Sequence, residues 1–103
     1  MPEHVSIDDP TEEPHAELFE TPRPRAVRLS LDAGRSMPAH THPESDVLLH
    51  VVEGRMTVEL DGEAYDCEAG DLLRFDGRRE VAPRAETDAV AVVTFAPRAT
   101  TDG

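Results

Sequence analysis

The sequence predicts an all-β protein, an antiparallel sandwich or small barrel of about seven or eight short strands. Apolar and polar residues alternate with a period of two over most of the chain after residue 25. Turn residues return about every eight to twelve positions, which is the spacing of small all-β domains. No segment sustains the 3.6-residue period of an amphipathic helix.

The first two predicted strands show this alternation. The segment AVRLSL places Val27, Leu29 and Leu31 on one face of a strand. A break at the residues DAG separates it from the segment MPAHTH, which alternates again. His40 and His42 are therefore expected to share a face.

The later strands follow at short intervals. The segment DVLLHVVE is apolar on both faces, as in a strand that is covered on both sides. RMTVEL alternates cleanly, and the Asp61–Gly62 pair after it is a strong hairpin signal. The segments EAYDC, AGDLLRFDG and DAVAVVTFA predict the remaining strands.

The chain is expected to form one domain, because 103 residues leave no room for a second core. Residues 1–24 are interpreted as an extended arm, since the first 20 residues contain seven acidic and no basic side chains. His4 and His15 in this arm are interpreted as solvated. The predicted barrel spans residues 25–98, and residues 99–103 form a C-terminal tail.

The charge excludes two classes of partner. The chain has 22 acidic and 10 basic residues, a net charge of -12, so nucleic acid and anionic membranes are not expected partners. All basic residues are arginine, and strong acidity without lysine favours a protein from a halophile. There is no signal-peptide pattern, no apolar run of membrane-spanning length, and Cys67 is the only cysteine. A cytoplasmic location is expected.

The spacing of several motifs resembles that of cupins. Five residues separate Gly34 from the His-x-His pair of His40 and His42, and the next strand ends at Glu53–Gly54. A second glycine–aspartate pair, Gly70–Asp71, opens a later strand. The chain thus resembles a small single-domain cupin over roughly residues 25–96, with a degenerate second motif. The resemblance implies a cupin-type antiparallel jelly-roll barrel with an extended acidic N-terminal arm.

The resemblance also implies a metal site, from which this chain departs. Cupins usually bind a metal through three histidines and one glutamate, and His40 and His42 match the first two. The third histidine position falls near Val81, which cannot bind a metal. The carboxylate position falls on Asp46 when counted forward from His42 and on Val47 when counted back from Gly54. The sequence leaves open which of Asp46 and Val47 faces the interior.

His50 has two possible orientations in this strand. If Val47, Leu49 and Val51 line the barrel, His50 points outward onto a sheet that packs against a partner subunit. If Asp46 faces inward, His50 does so too and becomes a possible third ligand. A homodimer is expected in either case, because apolar residues make up only 38% of the chain and a monomer would have a thin core.

Two functions follow from the resemblance. The first is a small cupin barrel that binds a metal ion or a small-molecule ligand through the His-x-His pocket. The alternative is a metal-dependent enzyme, similar to cupin dioxygenases or isomerases, with His40, His42 and Asp46 as ligands. The cofactor would be one divalent transition metal (Fe, Mn, Ni or Zn), and the sequence equally allows that none is bound.

Overall fold

The structure, a computed structural model, describes residues 2–20 and 24–97 and forms two antiparallel β-sheets. The strands are β1 (His15–Glu17), β2 (Arg25–Leu31), β3 (Ser45–Glu53), β4 (Arg55–Leu60), β5 (Glu63–Glu68), β6 (Leu72–Asp76), β7 (Val81–Ala85) and β8 (Ala89–Pro97). One sheet has the order β1-β2-β8-β3-β6 and the other the order β5-β4-β7. The predicted all-β antiparallel fold is confirmed. The described residues contain no helix long and apolar enough to cross a membrane.

The core lies between the inner faces of the two sheets. In β3, Val47, Leu49 and Val51 are at most 2% exposed, whereas Leu48 and His50 are exposed. The strand therefore has the register in which Val47 faces the interior. Asp46 and His50 share the opposite, outer face, so the orientation anchored on Gly54 is the correct one.

Strand β7 was not among the predicted strands. Its sequence contains Pro83, which lacks the N–H group that a central strand must donate. The proline is tolerated because β7 is the edge of its sheet and pairs only with β4. Residues 34–40 run along its other side, where the Met37 N–H donates to the Pro83 carbonyl over 2.9 Å.

The segment MPAHTH was predicted to be a strand, and the structure shows a loop instead. Pro38 cannot donate a ladder hydrogen bond, and only isolated bridges join this segment to β7. One of these bridges pairs His40 with Val81. The bridge holds His40 beside the barrel although no strand forms there.

The segment predicted as an N-terminal arm contributes the edge strand β1 to the larger sheet. Residues 7–12 of this segment contact the outer face of β2, where Arg28 is only 8% exposed. The Arg28 guanidinium donates to the carbonyls of Ile7 over 3.0 Å and Glu12 over 2.9 Å. The predicted C-terminal tail, residues 99–103, lies outside the described residues.

The outer face of the larger sheet carries apolar side chains beside this arm. Leu48 is 38% exposed and Leu72 is 63% exposed, and His50 lies between Val92 and Leu72 in the sheet register. This is the face on which subunit contact was expected. The homodimer stays a prediction.

Candidate functional site

A cavity of about 280 Å³ lies between the two sheets. Most of its lining is apolar, and the polar part consists of one arginine and three histidines. The apolar residues are Val27, Leu29, Met37, Val47, Leu49, Phe75, Val81, Pro83, Val93 and Phe95; the polar ones are His15, Arg25, His40 and His42. Among the described residues that line it there is no aspartate or glutamate, although acids make up 22 of the 103 residues of the chain.

His40 reaches the cavity from the loop beside β7. Its backbone N–H donates to the Val81 carbonyl over 3.1 Å, and the Val81 N–H donates back over 2.9 Å. The ring atom Nδ1 lies 3.0 Å from the Pro38 carbonyl oxygen. Because a carbonyl can only accept, Nδ1 carries the proton of this hydrogen bond, and Nε2 is the ring nitrogen that faces other partners.

His42 is held by the turn that follows it. Its N–H donates to the Gly77 carbonyl over 2.6 Å, and the Gly77 N–H donates to the Ser45 carbonyl over 3.0 Å. The imidazole lies edge-on to His40, with ring centroids 4.7 Å apart, and 4.6 Å from the Phe95 ring. The rings of His40 and His42 are therefore in contact, as expected. Backbone hydrogen bonds from their loop to Val81 and Gly77 hold them in place, and no regular strand pairing is involved.

Burial lowers the pKa of His42, and Coulombic repulsion from His40, Arg25 and His15 lowers it further. The effect is that the His42 imidazole is neutral at pH 7. A neutral imidazole accepts or donates one hydrogen bond from each ring nitrogen. It also adds little charge to a cavity that is otherwise apolar.

We expect acidification to destabilise the wild-type protein relative to a His42→Gln variant. The folded state holds the pKa of His42 below its ordinary value of 6.5, so the unfolded chain takes up the proton first as the pH falls. The stabilising contribution is fully present above pH 6.5 and is lost as the pH falls toward the folded-state pKa. Urea unfolding of both proteins at about pH 7.5 and about pH 5.5 measures the difference. Parallel pH dependence in the two proteins would contradict this.

Arg25 is the one arginine among the described residues that line the cavity. Its Nη2 lies 2.6 Å from Glu17 Oε2, and its Nε donates to the same carboxylate. The guanidinium carbon lies 4.9 Å from the centre of the Phe95 ring, a cation–π contact. The hydrogen bond to Glu17 raises the pKa of Arg25, so the side chain is a permanent cation.

A second recess adjoins the cavity. It has a volume of about 260 Å³ and shares Arg25, His42 and Phe95 with the first. Its other lining residues are Pro43, Glu44, Ser45 and Pro97. The three shared side chains therefore separate an apolar inner cavity from a more polar outer recess.

The structure brings together two of the three predicted metal ligands. Asp46 lies on the outer face of β3, where Arg74 Nη2 is 3.5 Å from its Oδ2. Val81, at the position of the missing histidine, is in the cavity lining and 5% exposed. The described residues contain no group of three or more His, Cys, Asp or Glu arranged to hold a metal. His15 also lines the cavity but does not join His40 and His42 in such a group, so the paired donors are two imidazoles, fewer ligands than a protein transition-metal site uses.

Three cavity residues were not found by reading the sequence. His15 is exposed, as expected of a solvated residue, but it belongs to β1, where it lies beside Leu29 and also lines the cavity. Arg25 has the same parity as Val27 in β2, a signal that could have identified it. Phe95 pairs with Arg25 across the sheet, and this register cannot be read from either strand alone.

The sequence and the fold of this chain are both similar to those of known proteins. The family described as "Cupin domain" matches residues 27–97. The solved structure of KdgF from Halomonas sp. has a TM-score of 0.72 and 29% identity, and the match covers 82% of this chain and 78% of that one. An RmlC-like cupin from Shewanella frigidimarina has a TM-score of 0.76 and 25% identity, with 94% and 93% of the two chains covered.

A curated protein is also similar to this chain. Polyketide synthase CurC from Streptomyces cyaneus is 34% identical over 68 residues, which are 64% of this chain. The match spans only 44% of the length of that relative.

Proposed function

The chain belongs to the cupin family, and on that premise we propose that it binds a small, predominantly apolar organic molecule inside the barrel. The observation that carries the proposal is the cavity of about 280 Å³ between the sheets. Protein interiors are close-packed, and voids larger than a water molecule are few. A cavity of this size that lies between the sheets and is partly open to solvent supports a ligand-binding role.

The chemistry of the lining indicates the kind of ligand. Val47 and Leu49 are 2% exposed, and together with Phe75 they present apolar surface to the cavity. Removing apolar ligand surface from water contributes about 25 cal/mol per Å². His40 and His42 supply the hydrogen-bonding groups that orient the ligand. The volume suits a molecule of about the size of two fused aromatic rings.

A substitution that fills the cavity should weaken the binding of a small organic probe. We expect the neutral probe 2-naphthamide to bind the wild type with a Kd on the order of tens of micromolar. Replacing Val93, which lines the cavity, by phenylalanine fills the space and should raise that Kd by about tenfold or more. Isothermal titration calorimetry measures both affinities.

The matched control is Val90→Phe. Val90 lies in the same strand but does not line the cavity. This variant should bind the probe like the wild type. Equal loss of binding in both variants, with both still folded by circular dichroism, would show that the probe does not occupy the cavity.

The similarity to a polyketide synthase suggests one source of ligand. Polyketides are small organic molecules, and the apolar lining of the cavity suits part of such a carbon skeleton. Because the match spans 44% of that relative, the activity of the whole relative is not carried over. A role in handling a polyketide is the second candidate function.

The metal-dependent alternative needs a rearrangement. For Asp46 to join His40 and His42, β3 would have to shift by one residue and turn Val47 out of the core. Val47 is 2% exposed, so this shift would break the inner face of the sheet. The residues present do not fit a three-ligand metal site, and we propose that ligand binding does not depend on a metal.

A further inference from the structure

We propose that the ligand of the cavity is an organic anion and that Arg25 selects it. This inference rests on the proposed binding function and adds the charge class of the ligand. The apolar body of the ligand would lie between the sheets. Its carboxylate, or another oxyanion, would lie at the boundary that Arg25, His42 and Phe95 form between the cavity and the outer recess.

The first support is the distribution of charge. The chain has a net charge of -12, which repels anions from most of its surface. The described cavity lining reverses this bias, with one arginine, three histidines and no carboxylate. Two carboxylates lie nearby, Glu17 paired with Arg25 and Glu44 in the adjoining recess, so the cationic bias is confined to the cavity lining.

The second support is the way in which Arg25 is held. Glu17 accepts hydrogen bonds from Nε and Nη2, and the guanidinium lies over the Phe95 ring. The side chain is thus fixed before any ligand arrives, which lowers the entropic cost of binding. The hydrogen bonds to Glu17 use Nε and Nη2, and the two N–H groups of Nη1 are the ones proposed to donate to a ligand oxyanion.

The charge of Glu17 does not cancel this attraction. The Glu17 side chain is 53% exposed, and solvent screens its charge. The Arg25 side chain is 44% exposed, so its own charge is partly screened as well. The apolar body of a bound ligand would shield the side of the guanidinium that faces the cavity, which strengthens the attraction between Arg25 and the ligand oxyanion.

The test compares two probes of the same shape, 2-naphthoate and neutral 2-naphthamide, by calorimetry at constant ionic strength. The wild type should bind 2-naphthoate about tenfold more tightly than 2-naphthamide. Arg25→Gln should abolish this preference, because it should weaken 2-naphthoate binding about tenfold more than it weakens 2-naphthamide binding. Arg84→Gln is the matched control, because Arg84 is also half-exposed and paired with a glutamate, Glu86, but lies outside the cavity.

The Arg25→Lys variant keeps the positive charge but lacks the guanidinium shape. It should still bind 2-naphthoate more tightly than 2-naphthamide. Three results would overturn the inference: no preference in the wild type, an equal loss of both probes in Arg25→Gln, or a loss in Arg25→Lys as complete as in Arg25→Gln. Failure of 2-naphthamide to bind the wild type would instead overturn the proposed function. The two failures are thus distinguishable in one set of titrations.

Discussion

Replacing Gly77 by alanine is expected to destabilise the protein by about 3 kcal/mol or more and to displace His42 from the cavity. Gly77 is buried, and a Cβ atom there would overlap the carbonyl oxygens of His42 and Ser45. Both atoms belong to backbone that cannot rotate away. The turn from His42 to Ser45 would have to move, and the hydrogen bond from His42 to Gly77 would move with it.

Thermal unfolding measures the first effect, with an expected fall in Tm of more than about 10 °C. Binding of 2-naphthamide at a temperature where the variant is folded measures the second. Arg78→Ala is the control, because Arg78 is in the same turn and its side chain is 68% exposed. A Gly77→Ala variant as stable as Arg78→Ala would show that the turn is not packed as described.

Gly54→Ala is expected to destabilise by a similar amount, about 3 kcal/mol, for two reasons that add. The residue has φ of +76°, a conformation that costs an L-amino acid about 1–2 kcal/mol. The added Cβ would also overlap the Asp88 carbonyl oxygen and lie 2.9 Å from Thr87 Oγ1. The turn between β3 and β4 would therefore separate from the residues that lead into β8.

Gly62→Ala is the control that separates the two causes, because it has the positive φ but not the steric overlap. Gly62 has φ of +87°, close to that of Gly54, but no atom lies within 4 Å of the Cβ that alanine would add. The control should lose only the conformational part, about 1–2 kcal/mol. Urea unfolding of the two variants gives the difference. Equal destabilisation would mean that the contact with Asp88 has no energetic consequence.

The parity of the strands could be predicted from the sequence because burial on one face leaves a period of two. Val27, Leu29 and Leu31 were assigned to one face, and all are 3% exposed. The sequence leaves the orientation of β3 open because the inward carboxylate position falls on Asp46 when counted from His42 and on Val47 when counted from Gly54. The glycine anchor at Gly54 was the reliable one, since its positive φ fixes where the turn lies.

The site could be predicted only in part, because its residues are held by contacts between distant segments. His40 and His42 were found as a pair, but their loop is tied to β7, a strand whose proline hides it from pattern reading. Arg25 shares the parity of Val27, but it is the first residue of β2, and a charged residue at a strand end does not by itself indicate a cavity. His15 lies in a strand of three residues, too short to show a period.

The central claim is that the cavity binds an organic ligand without a metal. The most direct measurement is calorimetric titration of 2-naphthamide into protein purified without chelators and into the same protein after dialysis against a chelator, with elemental analysis of both samples. The account predicts the same affinity in both and less than one equivalent of Fe, Mn, Ni or Zn before dialysis. One equivalent of metal that is absent from a His40→Ala, His42→Ala variant, together with probe binding that is lost on chelation and restored by the metal, would contradict it.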